Sequence, residues 1–367
     1  MSIFSPYTFS HSGKVAKNRL VLAAMTNTQS HADGTLGQDE YEWLVSRAKA
    51  GFGIIVTCAA YVNHDGQGWK NELGISHPNH FKGLARLAKG IQAEGGLGIV
   101  QIFHGGARSP QEVTGKQPWS ASAHTIQLSQ QPVEVREATE ADIQQAILDF
   151  ERAAKMAYEA GFDGVEIHGA HGYLLHQFLS SQTNLRQDAW GGSFENRNRL
   201  IRTILRNIKA NMPASFLVGV RLSPEDKYTY KGIDFDESLN LANQLVTDGA
   251  DYISVSPWDA FKKPEKYLES EKTIIEYFRE GLPIQAPIMI AGEIWTTTDA
   301  DKAMKLGSDF IAIGKAAIAN PDWPSAIRNS DYQPAKPPYT SRQLALAGLG
   351  AGFINYLKLR PGFMADE

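Results

Sequence analysis

A chain of 367 residues, 43% hydrophobic and 21% charged, has the proportions of an ordinary folded protein. Its net charge of −4 offers no basic footprint, so nucleic acid is not an expected partner. A single cysteine, Cys58, excludes an intramolecular disulfide, a cysteine-ligated iron–sulfur cluster and a multi-cysteine zinc site.

The opening MSIFSPYTFSHSGK has no apolar signal region, and no run reaches the ~18 apolar residues of a membrane span. A cytoplasmic protein with no membrane partner is expected. Residues 1–17 read as an extended lead-in to a buried strand, Arg19–Ala24. Gln38–Ala50 has helical spacing and stops at Gly51. Strand Gly53–Ala59, helix Asn79–Glu94 and strand Leu97–Phe103 repeat the rhythm. An insertion, 104–138, follows; it is rich in Gly, Ser, Gln and Pro and is expected to cap a site rather than act as a linker.

Helix Thr139–Ala160 begins at a natural N-cap, although Asp142 stands where a capping box usually has Glu or Gln. Strand Gly164–His168 leads into a long, glycine-punctuated polar loop and then helix Phe194–Ala210. Strand Phe216–Leu222, the loop SPEDKYTYKG and helix Asp236–Asp248 come next. Strand Tyr252–Ser256 pairs with helix Glu269–Arg279, Ile288–Ala291 with Thr297–Leu306, and Phe310–Ile313 with Lys315–Arg328. The tail, 329–367, holds a Pro-rich hinge and a helix, Ser341–Lys358, expected to pack on the barrel or on a neighbouring subunit.

Strands that read as unbroken apolar runs are covered on both faces, as parallel strands are. Eight such strand–helix units predict an α/β protein with a single (β/α)8 TIM barrel over residues 1–328. The doubly wound alternative wants G-x-G-x-x-G after its first strand, and that position reads AAMTNT.

In such a barrel the chemistry sits at the C-terminal ends of the strands. Those ends collect Ala23, Ala24, Met25 and Thr26, then Cys58, Gln101, His168 with His171 and Tyr173, Arg221, Ala291-Gly292 and Gly314-Lys315. The glycines ending the last two strands, each followed by a helix, form the pattern that binds a phosphate through backbone N–H groups. Their plainer role is to make turns. His168 and His171 admit three readings on spacing alone: a metal pair lacking its third ligand, a satisfied structural pair, or two N–H donors on one substrate oxygen.

Three segments carry a resemblance. The stretch IHGAHGYLLHQFLSSQTN, followed by WGGSFENRNR, is close to the signature of the Old Yellow Enzyme family, and VGVRLSP and GSDFIAIGKAAIANPDW are similar to further family segments. The resemblance implies a non-covalent FMN cofactor, NADH or NADPH as reductant, and reduction of activated C=C bonds in unsaturated carbonyl or nitro compounds.

By position, it implies that Ala23, Ala24, Met25 and Thr26 line the flavin, with Cys58 beside its ring and Gln101 at its pyrimidine edge. Arg221 falls near N1 and O2, and Ala291, Gly292, Gly314 and Lys315 in the phosphate cradle. His168 and His171 match the pair that holds the substrate oxygen, and Tyr173 the proton donor. Thr28 stands where some relatives have a substrate-binding tyrosine.

Departures accompany the match. Thr26 replaces the cysteine of many bacterial relatives, and Lys315 replaces a common arginine, losing its fork of donors. One extra residue in His104–Arg108 breaks the family's HAGR register, so Arg108 receives no role; whether Arg360 in the tail reaches a neighbouring subunit of a homo-oligomer is left open. The competing readings are a barrel lyase or aldolase on a phosphorylated substrate and a non-catalytic flavin-binding protein.

Overall fold

The computed structural model describes residues 2–127, 132–226 and 232–365, so part of the insertion and the middle of the SPEDKYTYKG loop lie outside the described residues. The apolar runs form strands β1 (Leu20–Leu22), β2 (Ile54–Tyr61), β3 (Leu97–Phe103), β4 (Gly164–Gly169), β5 (Leu217–Leu222), β6 (Tyr252–Val255), β7 (Ile288–Ala291) and β8 (Phe310–Ile313). Each pairs in parallel with its neighbour, and β8 returns to β1, closing the barrel. The helices are α1 (Gln38–Ala50), α2 (Phe81–Ala93), α3 (Glu140–Glu159), α4 (Arg199–Asn211), α5 (Phe235–Thr247), α6 (Ile274–Gly281), α7 (Thr297–Lys305) and α8 (Lys315–Ala319). The TIM barrel expected from the strand–helix rhythm is the fold observed.

Alternating side chains along each strand divide the core in two. Val21, Ile54, Ile99, Leu217, Met289 and Phe310 fill the barrel axis, while Leu22, Ile55, Val100 and Ile167 pack outward beneath the helices. Gly219 is required for this filling: a Cβ there would lie 2.0 Å from Cζ of Tyr252. The lead-in is a two-stranded hairpin, Tyr7–Thr8 with Val15–Ala16, rather than a plain extended segment. It inserts Phe9 into the lower end of the barrel, stacked on Phe310 at 5.4 Å.

Several boundaries differ from expectation for identifiable reasons. The insertion is not featureless: it carries a short helix, Gln111–Thr114, and a small sheet of Trp119–Ser120, His124–Gln127 and Pro132–Glu137. The polar loop after β4 contains a buried helix, Leu174–Leu179, which begins directly at Tyr173. The helix expected over 194–210 breaks at Asn198, and that over 315–328 stops at Ala319, before Asn320-Pro321. Helix α6 starts at Ile274, four residues after the turn that ends at Ser270, because Thr273 and Glu276 form a reciprocal cap there.

The cap of α3 forms even though Asp142 is shorter than Glu. Asp142 Oδ2 accepts from the Thr139 amide at 2.8 Å, and the Asp142 amide donates back to Thr139 Oγ1 at 3.2 Å. Arg136 adds a two-pronged pair to the same carboxylate at 2.6 and 2.9 Å, holding its pKa down at about 2.

The tail forms two helices, Ser341–Leu346 and Ala351–Lys358, separated by Gly348 at φ 84°. It docks on its own barrel. Arg47 of α1 donates to the Ala347 carbonyl at 3.0 Å, Gln29 accepts from the Gly350 amide at 2.8 Å, and Phe353 meets Trp43 edge-on at 5.5 Å.

Candidate active site

At the C-terminal ends of the strands a cavity of about 370 Å³ opens, within the usual ~300–1,000 Å³ of small-molecule sites. Its floor is small and apolar: Ala23 and Ala24 after β1, Ala291 at the end of β7 and Ala312 in β8. Met25, Thr26, Arg221, Gly292, Gly314 and Lys315 complete the wall expected from the strand ends. The tail roofs it with Phe353, Tyr356 and Arg360. Arg360 lines the cavity of its own chain and donates to Tyr356 Oη at 2.6 Å.

Below the floor lies a buried polar group. Gln101 of β3 donates from Nε2 to Glu166 Oε1 of β4 at 2.7 Å, which leaves the amide oxygen as the acceptor available to a ligand. Burial raises the pKa of Glu166 and the charge of Arg221 opposes that rise; burial likewise lowers the pKa of Arg221 itself. Arg221 donates from NH2 to Ser256 Oγ at 3.0 Å, but its Nε is buried without a partner.

His168 ends β4 facing inward, and its ring lies 5.1 Å from that of His171 and 5.3 Å from that of Tyr173. His168 Nδ1 is buried and unpartnered. His171 holds a left-handed backbone, φ 61°, which costs energy for a residue with a Cβ and persists only when its surroundings impose it. Three distant residues do so: Ser223 Oγ accepts from its amide at 3.1 Å, Arg108 donates to its carbonyl at 2.7 Å, and Ser256 meets Nε2 at 2.9 Å.

Burial pushes both imidazoles well below the usual histidine pKa, and Arg221 pushes them further, so both are neutral at pH 7. Neutral imidazoles each offer one N–H donor. Tyr173 packs edge-on against Phe103 at 4.5 Å, and the Arg108 guanidinium lies over its ring at 4.5 Å. Among the described residues no group of three His, Cys, Asp or Glu could hold a metal ion, so the metal reading of the histidine pair has no third ligand there.

Five expected residues do not line the cavity: Gln101, His168, Tyr173, Cys58 and Thr28. The pairing of β2 with β3 slips between Val56 and Ala59, and Cys58 turns outward, its thiol on Glu40 Oε1 at 2.7 Å. Burial, with Glu40 beside it, raises the thiol pKa well above the ordinary value, so it is an inert buried group. Thr28 uses its hydroxyl to hold the tail, donating to the Gly352 carbonyl at 3.0 Å.

The strand-end reading also missed residues. Ser256 is the last residue of the expected sixth strand and follows the observed β6 immediately, so the strand-end rule itself points to it. Glu293, at φ 50°, pairs with Lys315 and accepts from Trp295 Nε1 at 3.1 Å. Arg108 was hidden by the altered register of the insertion. Tyr356 and Arg360 carry no local signal, because only chain folding brings them to the mouth.

A parallel barrel whose last two strands run into glycines, with Lys315, a buried arginine and a neutral histidine pair at the same end, has the arrangement of a (β/α)8 enzyme. Residues 2–333 match the NADH:flavin oxidoreductase / NADH oxidase family. A probable NADH-dependent flavin oxidoreductase of Bacillus subtilis is 33% identical over 330 residues, covering 89% of this chain and 87% of that protein. An NADH:fumarate oxidoreductase of Klebsiella pneumoniae is 35% identical over 335 residues, 89% of this chain but 36% of that longer protein.

The structure of the old yellow enzyme homologue from Zymomonas mobilis superposes with a TM-score of 0.82 at 26% identity, covering 97% of this chain and 99% of the other. Morphinone reductase bound to tetrahydroNAD, 24% identical with a TM-score of 0.78 and 97% of each chain covered, shares the fold. The chain belongs to the Old Yellow Enzyme family: it is an NAD(P)H-dependent flavin oxidoreductase with FMN as its cofactor. The lyase reading and the non-catalytic reading both give way to this assignment.

Proposed function

We propose that this enzyme reduces activated C=C bonds of unsaturated carbonyl or nitro compounds, with the substrate oxygen held by His168 and His171 and the proton delivered by Tyr173. The observation that carries the reading is the pair of neutral imidazoles, 5.1 Å apart, with an unpartnered buried Nδ1 on one of them and a tyrosine packed alongside. Two N–H donors on one oxygen withdraw electrons from the conjugated alkene and make its β-carbon electrophilic.

The residues present fit FMN. Small alanines leave a flat floor, and the unpartnered Nε of Arg221 supplies a buried donor for the edge of a flavin that becomes anionic on reduction. Gln101, its amide oriented by Glu166, presents an acceptor. Gly314 and Lys315 would hold the phosphate, with Lys315 exchanging its Glu293 partner for the dianion. Bound FMN supplies hydride chemistry, accepting a hydride from NAD(P)H and passing one to the alkene.

The test uses the purified yellow holoenzyme. Anaerobic NADH or NADPH should bleach the flavin, and an enone or nitroalkene should restore its colour with formation of the saturated product. Bleaching without reoxidation by any member of an enone and nitroalkene panel would overturn the reading. The same panel, run with each nicotinamide, ranks substrates and identifies the preferred reductant.

A further inference from the structure

We infer that Arg108 is a positioning residue for the proton-transfer step: one N–H holds the left-handed His171 while the guanidinium plane, over the Tyr173 ring, stabilises the tyrosinate that proton donation leaves behind. The inference rests on the reading of Tyr173 as the donor. Its geometric basis is the 2.7 Å bond from NH1 to the His171 carbonyl and the 4.5 Å separation between the guanidinium carbon and the Tyr173 ring centroid. One side chain thus touches both halves of the proposed substrate clamp. A cation over an aromatic face is attractive already when the tyrosine is neutral. When the phenol gives its proton to the α-carbon, as hydride reaches the β-carbon, the ring acquires a full negative charge and the attraction grows.

Burial opposes that charge separation by raising the Tyr173 pKa, and Arg108 is the largest influence in the opposite direction. The groups facing Tyr173 come from several elements. They are His168 at the end of β4, Arg108 in the insertion, Glu72 in the loop after β2, and Tyr356 with Arg360 on the tail. Glu72 is buried, burial raises its pKa, and it acts on Tyr173 in the sense opposite to Arg108 but more weakly. Among the described residues Arg108 forms no ion pair with a carboxylate, so its charge is directed at the tyrosine and the His171 carbonyl.

The experiment compares Arg108→Gln, Arg108→Lys and Tyr173→Phe as FMN-loaded enzymes, with the two half-reactions followed separately by stopped flow. Arg108→Gln should slow alkene-driven reoxidation about tenfold, the equivalent of one pKa unit lost to the donor. It should also move the alkaline limb of that rate to higher pH and leave reduction by NAD(P)H within about twofold of wild type. Arg108→Lys, which keeps the charge, should recover the position of the alkaline limb. A merely structural role would slow both half-reactions together and leave the limb in place. Slow reoxidation in Tyr173→Phe with wild-type rate and pH profile in Arg108→Gln would overturn the role of Arg108. Wild-type reoxidation in Tyr173→Phe would instead overturn the reading of Tyr173 as donor.

Discussion

His171 Nε2 lies 2.9 Å from the hydroxyl of Ser256, and that same hydroxyl accepts a hydrogen bond from the buried Arg221 at 3.0 Å. A hydroxyl that accepts from the arginine keeps its proton to donate to His171 Nε2 in the tautomer where that nitrogen is the acceptor. The imidazole then carries its own proton on Nδ1, the nitrogen left for a ligand. Ser256 in this way links the positive charge expected at the cofactor edge to the tautomer of the substrate clamp.

Ser256→Ala should therefore keep FMN bound but weaken phenol-type ligands about fivefold, the worth of one hydrogen bond of roughly 1 kcal/mol. Titration of the long-wavelength band that phenols induce in bound flavin measures this. Unchanged affinity would remove the serine from the clamp.

The double variant His168→Ala with His171→Ala tests the clamp itself. Loss of two donors should raise the phenol dissociation constant by about 30-fold or more while the protein remains yellow. A colourless protein would indicate that the pair holds the cofactor, and an unchanged dissociation constant would refute the assigned role.

The neutrality of the pair has a consequence for stability. Both folded pKa values lie below the ordinary 6.5, so below that pH the unfolded chain binds protons that the folded chain refuses. Stability should fall as pH drops from 7.5 to 5.5, by up to about 1.4 kcal/mol for each histidine. His168→Asn with His171→Asn should flatten that pH dependence in urea unfolding. An equally steep slope in the variant would place the effect elsewhere.

Asp142 behaves in the opposite sense. Arg136 and Thr139 hold its carboxyl at about 2, below the ordinary 3.8, so its contribution is complete above about pH 4 and is lost as pH falls toward 2. Asp142→Asn should cost about 1–2 kcal/mol at pH 7, discounting for partial exposure, and nothing at pH 2. Chemical denaturation at the two pH values separates this from a simple loss of packing.

The tail depends on close backbone contact. A Cβ at Gly352 would sit 2.6 Å from the Thr28 carbonyl oxygen, so Gly352→Val should lift helix Ala351–Lys358 from the mouth. The expected result is faster proteolysis of the tail, with the barrel fragment remaining folded and yellow. Protection equal to wild type would mean that the tail accommodates the side chain without leaving.

Much of the barrel was legible because each strand is buried on both faces and each helix on one. Those local demands appear as apolar runs and helical spacing wherever the segment lies. Strands β3, β7 and β8 and helix α1 fall where the pattern puts them. Helix ends were less legible. The breaks at Asn198 and before Asn320-Pro321 depend on how the chain must turn to reach its neighbour, and propensity alone does not decide that.

The site divides in the same way. The sequence by itself determined that His168, His171 and Tyr173 stand at the end of the fourth strand, and that small residues and glycines end the first, seventh and eighth, because strand position dictates which residues meet at the mouth. Only the tertiary structure decided which side chains face it. A slip in strand pairing sends Cys58 to Glu40, a left-handed turn at His171 is held by Ser223, Ser256 and Arg108, and the tail brings Arg360 back over its own barrel. Such outcomes depend on contacts between residues far apart in the chain, and no local periodicity encodes them.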